Sequence, residues 1–170
     1  MKRLFTWTSP AAILFSFLFF APSSGSSQTP SQTFLRHLQG SWMMTGTVRT
    51  KPVEYHAEVH WVLQNQWLSF HMEDAASPPK YEANLMVGVD SSKHQYVGHW
   101  LDLFGGAGAR VVGMGPLSED KMQIIYPYEE GRFRNLFTYD STTDTWSLTM
   151  ESEGKDGHWS PFAQYIATRK

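Results

Sequence analysis

The chain has no cysteine, no cluster of basic residues and no long apolar run. Without cysteine there are no disulfides to staple the fold and no thiol for lipid attachment, so stability must come from buried apolar surface. The balance of 14 basic against 16 acidic residues, with the basic ones scattered, argues against a nucleic-acid partner. The longest apolar stretch, Ala11 to Ala21, falls short of the roughly 18 residues that a membrane span requires.

That stretch follows Lys2 and Arg3 and precedes Pro22, Ser23, Ser24 and Gly25. A positive start, a short greasy run and small helix-breaking residues are the order of an export signal. The expectation is a signal peptide over 1–25, a polar tether over 26–33 and one domain over 34–170, in a periplasmic or secreted protein with no membrane span after cleavage. Cleavage leaves 12 basic residues against 16 acidic, a charge of −4 on about 145 residues. A domain of that size buries roughly two-thirds of its unfolded surface, enough to fold without staples.

Phe34 to Gln39 reads as a short helical turn, with Thr33 as its N-cap and Gly40 as its stop. Beyond it, apolar alternation broken by turn residues predicts strands near 40–49, 53–63, 67–73, 81–90, 95–102, 109–115, 121–127, 132–140, 145–152 and 160–169. Pairing Gln64 with Trp67 across Asn65-Gln66 sets Trp61 opposite Phe70 and Leu63 opposite Leu68, an apolar face. The other face then holds His60 opposite His71 and Glu58 opposite Glu73. Tyr81, Ala83, Leu85, Val87 and Val89 share a face, as do Phe133, Asn135, Phe137 and Tyr139. About ten short strands with tight connections predict an all-β, antiparallel up-and-down barrel, because closing the sheet removes both edges. A barrel of that strand number has room for a ligand.

Gly40-Ser41-Trp42, after a helical turn and opening the first strand, resembles the Gly-x-Trp signature of lipocalins. The resemblance implies that Trp42 closes one end of the barrel. Gly88-Val89-Asp90, Tyr96, Trp100-Leu101-Asp102, Val112-Gly113 and Tyr165-Ile166-Ala167-Thr168-Arg169 extend the likeness over about 34–170. Together they are similar to a family of bacterial lipocalin-like, calycin-type domains without assigned function. Nitrobindin, a distantly similar barrel, holds haem through a histidine near its C-terminus. Here Met43-Met44-Thr45-Gly46 replaces the glycine-rich continuation, and the last strand, 160–170, has no histidine; His158 is the nearest substitute.

Several constellations carry chemistry. Glu58, His60, His71 and Glu73 share the polar face of the first hairpin, and two imidazoles with a carboxylate suit zinc. The plainer reading is a solvated outer wall. Trp100 and Asp102 share a face, and Arg110 is expected to open the next strand, so an Asp102–Arg110 pair could orient a ligand at the barrel mouth or fix the loop. Tyr126 and Asn135 would place polar handles in an apolar interior. Gly105-Gly106-Ala107-Gly108 lacks the lysine and helix of a phosphate loop and reads as a flexible hairpin tip.

The leading expectation is an exported barrel binding a small hydrophobic molecule, with no cofactor, through Trp100, Asp102, Arg110, Tyr126 and Asn135. The alternatives are a metal- or haem-associated barrel, a cavity enzyme of isomerase or cyclase type with a carboxylate–histidine pair, and a filled barrel working through its outer surface.

Overall fold

The structure is a computed structural model that describes residues 30–170; the expected signal peptide and the first part of the tether lie outside them. Helix α1 (Pro30–Leu38) leads into ten strands. These are β1 (Gly40–Val48), β2 (Lys51–Val62), β3 (Trp67–Asp74), β4 (Glu82–Asp90) and β5 (Gln95–Asp102), then β6 (Val112–Pro116), β7 (Lys121–Tyr128), β8 (Gly131–Asp140), β9 (Thr145–Glu153) and β10 (Trp159–Arg169). Each strand pairs antiparallel with its sequence neighbour, and β10 returns to β1 to close the barrel. The all-β, ten-stranded architecture is the one the alternation predicts.

The turns show why the chain reverses where it does. Asp90 Oδ1 accepts from the Ser92 and Lys93 amides, and Asp140 Oδ1 from the Thr142 amide. Such side-chain mimicry of a backbone turn is what places Asp at strand ends. The first hairpin differs from expectation. Val62 pairs with Trp67, leaving a four-residue loop in which Leu63, Gln64 and Asn65 all have positive φ. The register therefore slides by two residues, setting Trp61 opposite Leu68, His60 opposite Ser69 and Glu58 opposite His71. A two-residue Asn65-Gln66 turn lacks the glycine that tight hairpins favour. Because the slip is even, the inward set survives; only Leu63 leaves it, exposed at the tip.

The interior has two unlike halves. At one end α1, which starts at Pro30 rather than Phe34, turns Phe34, Leu35 and Leu38 into the barrel against Trp42 and Trp146. The last carbonyls of a helix have no partner within it. Here the Trp42 Nε1–H donates to the Leu38 carbonyl at 2.7 Å and the Trp146 Nε1–H to the His37 carbonyl at 3.1 Å. His37 stacks on Tyr139. Only about 10 Å³ of void remains among these side chains, so this half is packed shut. Phe70 and Leu85 are buried, and Trp61 is half-buried against the core.

Candidate functional site

The opposite half is hollow. A cavity of about 390 Å³ opens where β2 starts, β5 and β7 end, and β8 and β10 begin. Inward positions at this end carry Tyr55, Tyr81, Tyr126, Tyr128 and Tyr165, five phenols in one chamber. Phe133, Phe162, Met72, Met150 and Val48 complete most of the apolar wall. Tyr55 packs edge-on against Tyr81 and Tyr165, with ring centres 5.9 and 5.7 Å apart. Phe104, just past β5, lies 6.2 Å from Tyr81 and is largely exposed at the rim.

Four expected site residues line this one cavity: Trp100, Asp102, Tyr126 and Asn135. Strand parity brings them together, since Trp100 and Asp102 are alternate residues of β5 while Tyr126 and Asn135 project from paired strands β7 and β8. Tyr126 reaches its place over a glycine floor. Gly98 and Gly113 face each other across β5 and β6. A Cβ on Gly113 would meet the Tyr126 ring at 2.7 Å, and one on Gly98 would meet its hydroxyl at 3.1 Å. Side chains at either position would deny the ring its bed.

Arg110 does not line the cavity. The expected loose tip is instead a 3₁₀ helix, Gly105–Arg110, and Arg110 ends it rather than opening β6. Its Nε–H donates to the Ala107 carbonyl, and the loop is tied to β5 by a 2.6 Å contact between His99 Nε2 and the Ala109 carbonyl. Among the described residues Asp102 has no ion pair. Its Oδ1 accepts from the Phe104 amide at 3.0 Å, an ordinary turn contact.

The chamber's electrostatics follow from burial. Burial, with the Tyr128 hydroxyl beside it, drives the Tyr126 phenol far above its usual range, and burial raises Tyr165 likewise. Tyr81 is pushed up to about 12, first by burial and further by the neighbouring Asp102 carboxylate, while Trp100 beside it acts in the opposite sense. Tyr128 is raised by burial and then by Asp102. All of these phenols stay protonated, and so remain hydrogen-bond donors, at neutral pH. Tyr126 Oη and Asn135 Oδ1 are buried without a protein partner. In native interiors such groups are rare.

The polar face of β2 and β3 does not gather its four expected ligands at one point. His71 Nε2 contacts Glu82 Oε1 at 2.8 Å, and Glu58 accepts from the Ser41 hydroxyl. His60 and Glu73 face Ser69 and His56 across the sheet, so the expected quartet is dispersed along the outer wall. Among the described residues no three His, Asp or Glu side chains converge. No histidine lines the cavity, and His158 is exposed in the β9–β10 turn, so the donor set does not fit a histidine-held haem. The His71–Glu82 contact lies outside the barrel, and Asp102 has no histidine beside it in the lining, so the pair a cavity enzyme would need is not assembled there.

Sequence reasoning missed Tyr55, Tyr165, Met72 and Phe162 as lining residues. No local signal marks them: they follow only once the helix before β1 is seen to plug one end, so that inward residues at the other end of the strands face the opening.

The sequence model of a family described as "Protein of unknown function (DUF1579)" matches residues 27–169. No protein of curated function matches the chain. Among solved structures, the crystal structure of Rv2717c from M. tuberculosis is similar, with a TM-score of 0.56 at 14% identity, covering 84% of this chain and 98% of that one. At that identity the likeness is one of fold.

Proposed function

The chain belongs to the DUF1579 family, whose description assigns no activity, and we propose that it is an exported barrel that binds a small, largely apolar molecule in the open half of its interior. The observation that carries this reading is the chamber of about 390 Å³, lined by aromatic and methionine side chains with a few polar atoms. Ligand sites are typically concave, mostly apolar clefts of roughly 300–1,000 Å³ with a small number of polar groups that fix orientation. Tyr126 and Asn135 line the chamber with an Oη and an Oδ1 that have no protein partner, both covered by neighbouring side chains, so they serve a ligand only when the lining shifts to uncover them. The plugged half provides the rigid floor, and the 3₁₀ segment beside Phe104 borders the entrance.

Export is part of the proposal and rests on the N-terminal pattern of Lys2, Arg3 and the Ala11–Ala21 run. Among the described residues no helix is long and apolar enough to cross a membrane.

Pyrene, an uncharged apolar fluorophore, tests the binding step. It should bind saturably, one per barrel, and be displaced by decanol. Non-saturable uptake, or none, would contradict an interior site. Intact mass of protein recovered from the periplasm of a bacterial host should show loss of about the first 25 residues; a full-length mass would remove export from the account.

A further inference from the structure

Resting on that reading of the barrel, we propose that its ligand is an organic cation: an ammonium group on an apolar body, held with its charge at Asp102 and its body in the aromatic chamber.

Asp102 is the charged member of the cavity lining, and no lysine, arginine or histidine accompanies it there. The residue best placed in sequence to neutralise it, Arg110, turns to the Ala107 carbonyl instead. A carboxylate offers about four lone-pair sites; the Phe104 amide takes one and the Tyr81 hydroxyl lies within reach of another, and neither donor carries a balancing charge. Asp102 is only half-buried, but its neighbours replace water on the cavity side with Trp100, Tyr81, Tyr128 and Phe104. Its charge reaches the phenols of both Tyr81 and Tyr128, which line the chamber with it.

Carboxylate and aromatic rings act in the same sense. Ring faces carry negative potential, and cages of Trp, Tyr and Phe attract ammonium groups. A bound anion would meet the Asp102 carboxylate with no basic side chain in the lining to offset its own desolvation; Arg49 lies over the Phe162 ring, 5.3 Å from its centre, and is not itself in the lining. A neutral ligand would leave Asp102 as it is. A cation supplies the missing counter-charge, while its hydrocarbon body takes the apolar wall formed by Met72, Met150, Phe133 and Phe162.

The test uses the full exported chain and three probes with one tail: decyltrimethylammonium, decanol and decanoate, titrated by calorimetry below their micelle concentrations. The cation should bind at least roughly tenfold tighter than the alcohol, with decanoate weakest. In Asp102→Asn, which keeps an acceptor for the Phe104 amide, the cation-to-alcohol ratio should fall toward one, and Asp102→Glu should restore it. Added salt should weaken the cation and leave decanol unmoved, a readout on the unaltered chain should the Asn variant not fold. Equal or tighter binding of decanol, or a ratio preserved in Asp102→Asn, overturns the charge assignment while leaving the binding barrel standing. Failure of all three probes to bind overturns both.

Discussion

The Arg169 guanidinium lies 4.1 Å from the centre of the Trp42 ring, joining the last strand to the first. The same side chain forms a two-pronged pair with Asp144 at 2.6 and 3.1 Å and reaches the Gln39 carbonyl. β1, β10, the β8–β9 turn and the end of α1 thus meet on one residue pair at the closed end. Trp42→Ala should cost about 3–5 kcal/mol, the range for emptying a large buried aromatic. Arg169→Ala, with its side chain 43% exposed, should cost only about 1 kcal/mol. Chemical denaturation of both variants measures the difference; a loss in Arg169→Ala as large as that in Trp42→Ala would contradict the indole's leading share of the seam.

Acid should loosen this clamp. Hydrogen bonds from Arg169 first, and Tyr139 second, hold the Asp144 carboxyl below its ordinary value of 3.8. A carboxyl depressed in the folded state stabilises above its unfolded value, and that contribution is lost as pH falls through the folded one. Thermal unfolding of wild type and Asp144→Asn should therefore differ at neutral pH and converge below the ordinary carboxylate range. A gap that stayed constant into acid would contradict the pairing.

Alkali should act on the tyrosines, five of which line the open half. All seven tyrosines have raised phenol values, with burial the leading cause for every one except Tyr139, where the bond to Asp144 leads. A phenol raised in the folded state stabilises fully below its unfolded value near 10 and loses that contribution as pH climbs toward the folded value. Tyrosinate absorbance should stay low through pH 10 and then rise together with loss of near-ultraviolet dichroism. Several phenols ionising before any unfolding would contradict a buried chamber.

The glycine floor makes a sharper demand. A Cβ at Gly113 would come within 2.5 Å of Ile124 Cγ2 as well as meeting the Tyr126 ring. Gly113→Ala should cost about 1–3 kcal/mol, as overpacking does, and should weaken pyrene binding by displacing Tyr126. Exposed Gly106, with open space around it, is the control: Gly106→Ala should leave both unchanged.

Much of this fold was legible because strand parity is unforgiving. Tyr81 to Val89 and Phe133 to Tyr139 alternate so cleanly that only one face of each can be inside. The hairpin register was not, because Leu63, Gln64 and Asn65 adopt positive φ without glycine to announce it. Four of the five expected ligand-site residues share the cavity because parity set their direction. Arg110 does not, because its position depends on a 3₁₀ segment of small residues that carries no periodic signal. Depth along the barrel was equally invisible: nothing local to Tyr55 or Tyr165 tells that α1 fills the other end.

The most direct measurement is calorimetric titration of decanol into the wild-type barrel and into Met150→Trp, where a larger side chain occupies the open half from a buried position on the cavity wall. The account predicts saturable binding to wild type and its loss in a variant that still unfolds cooperatively. Undiminished binding to that folded variant would place the ligand elsewhere and contradict the interior site.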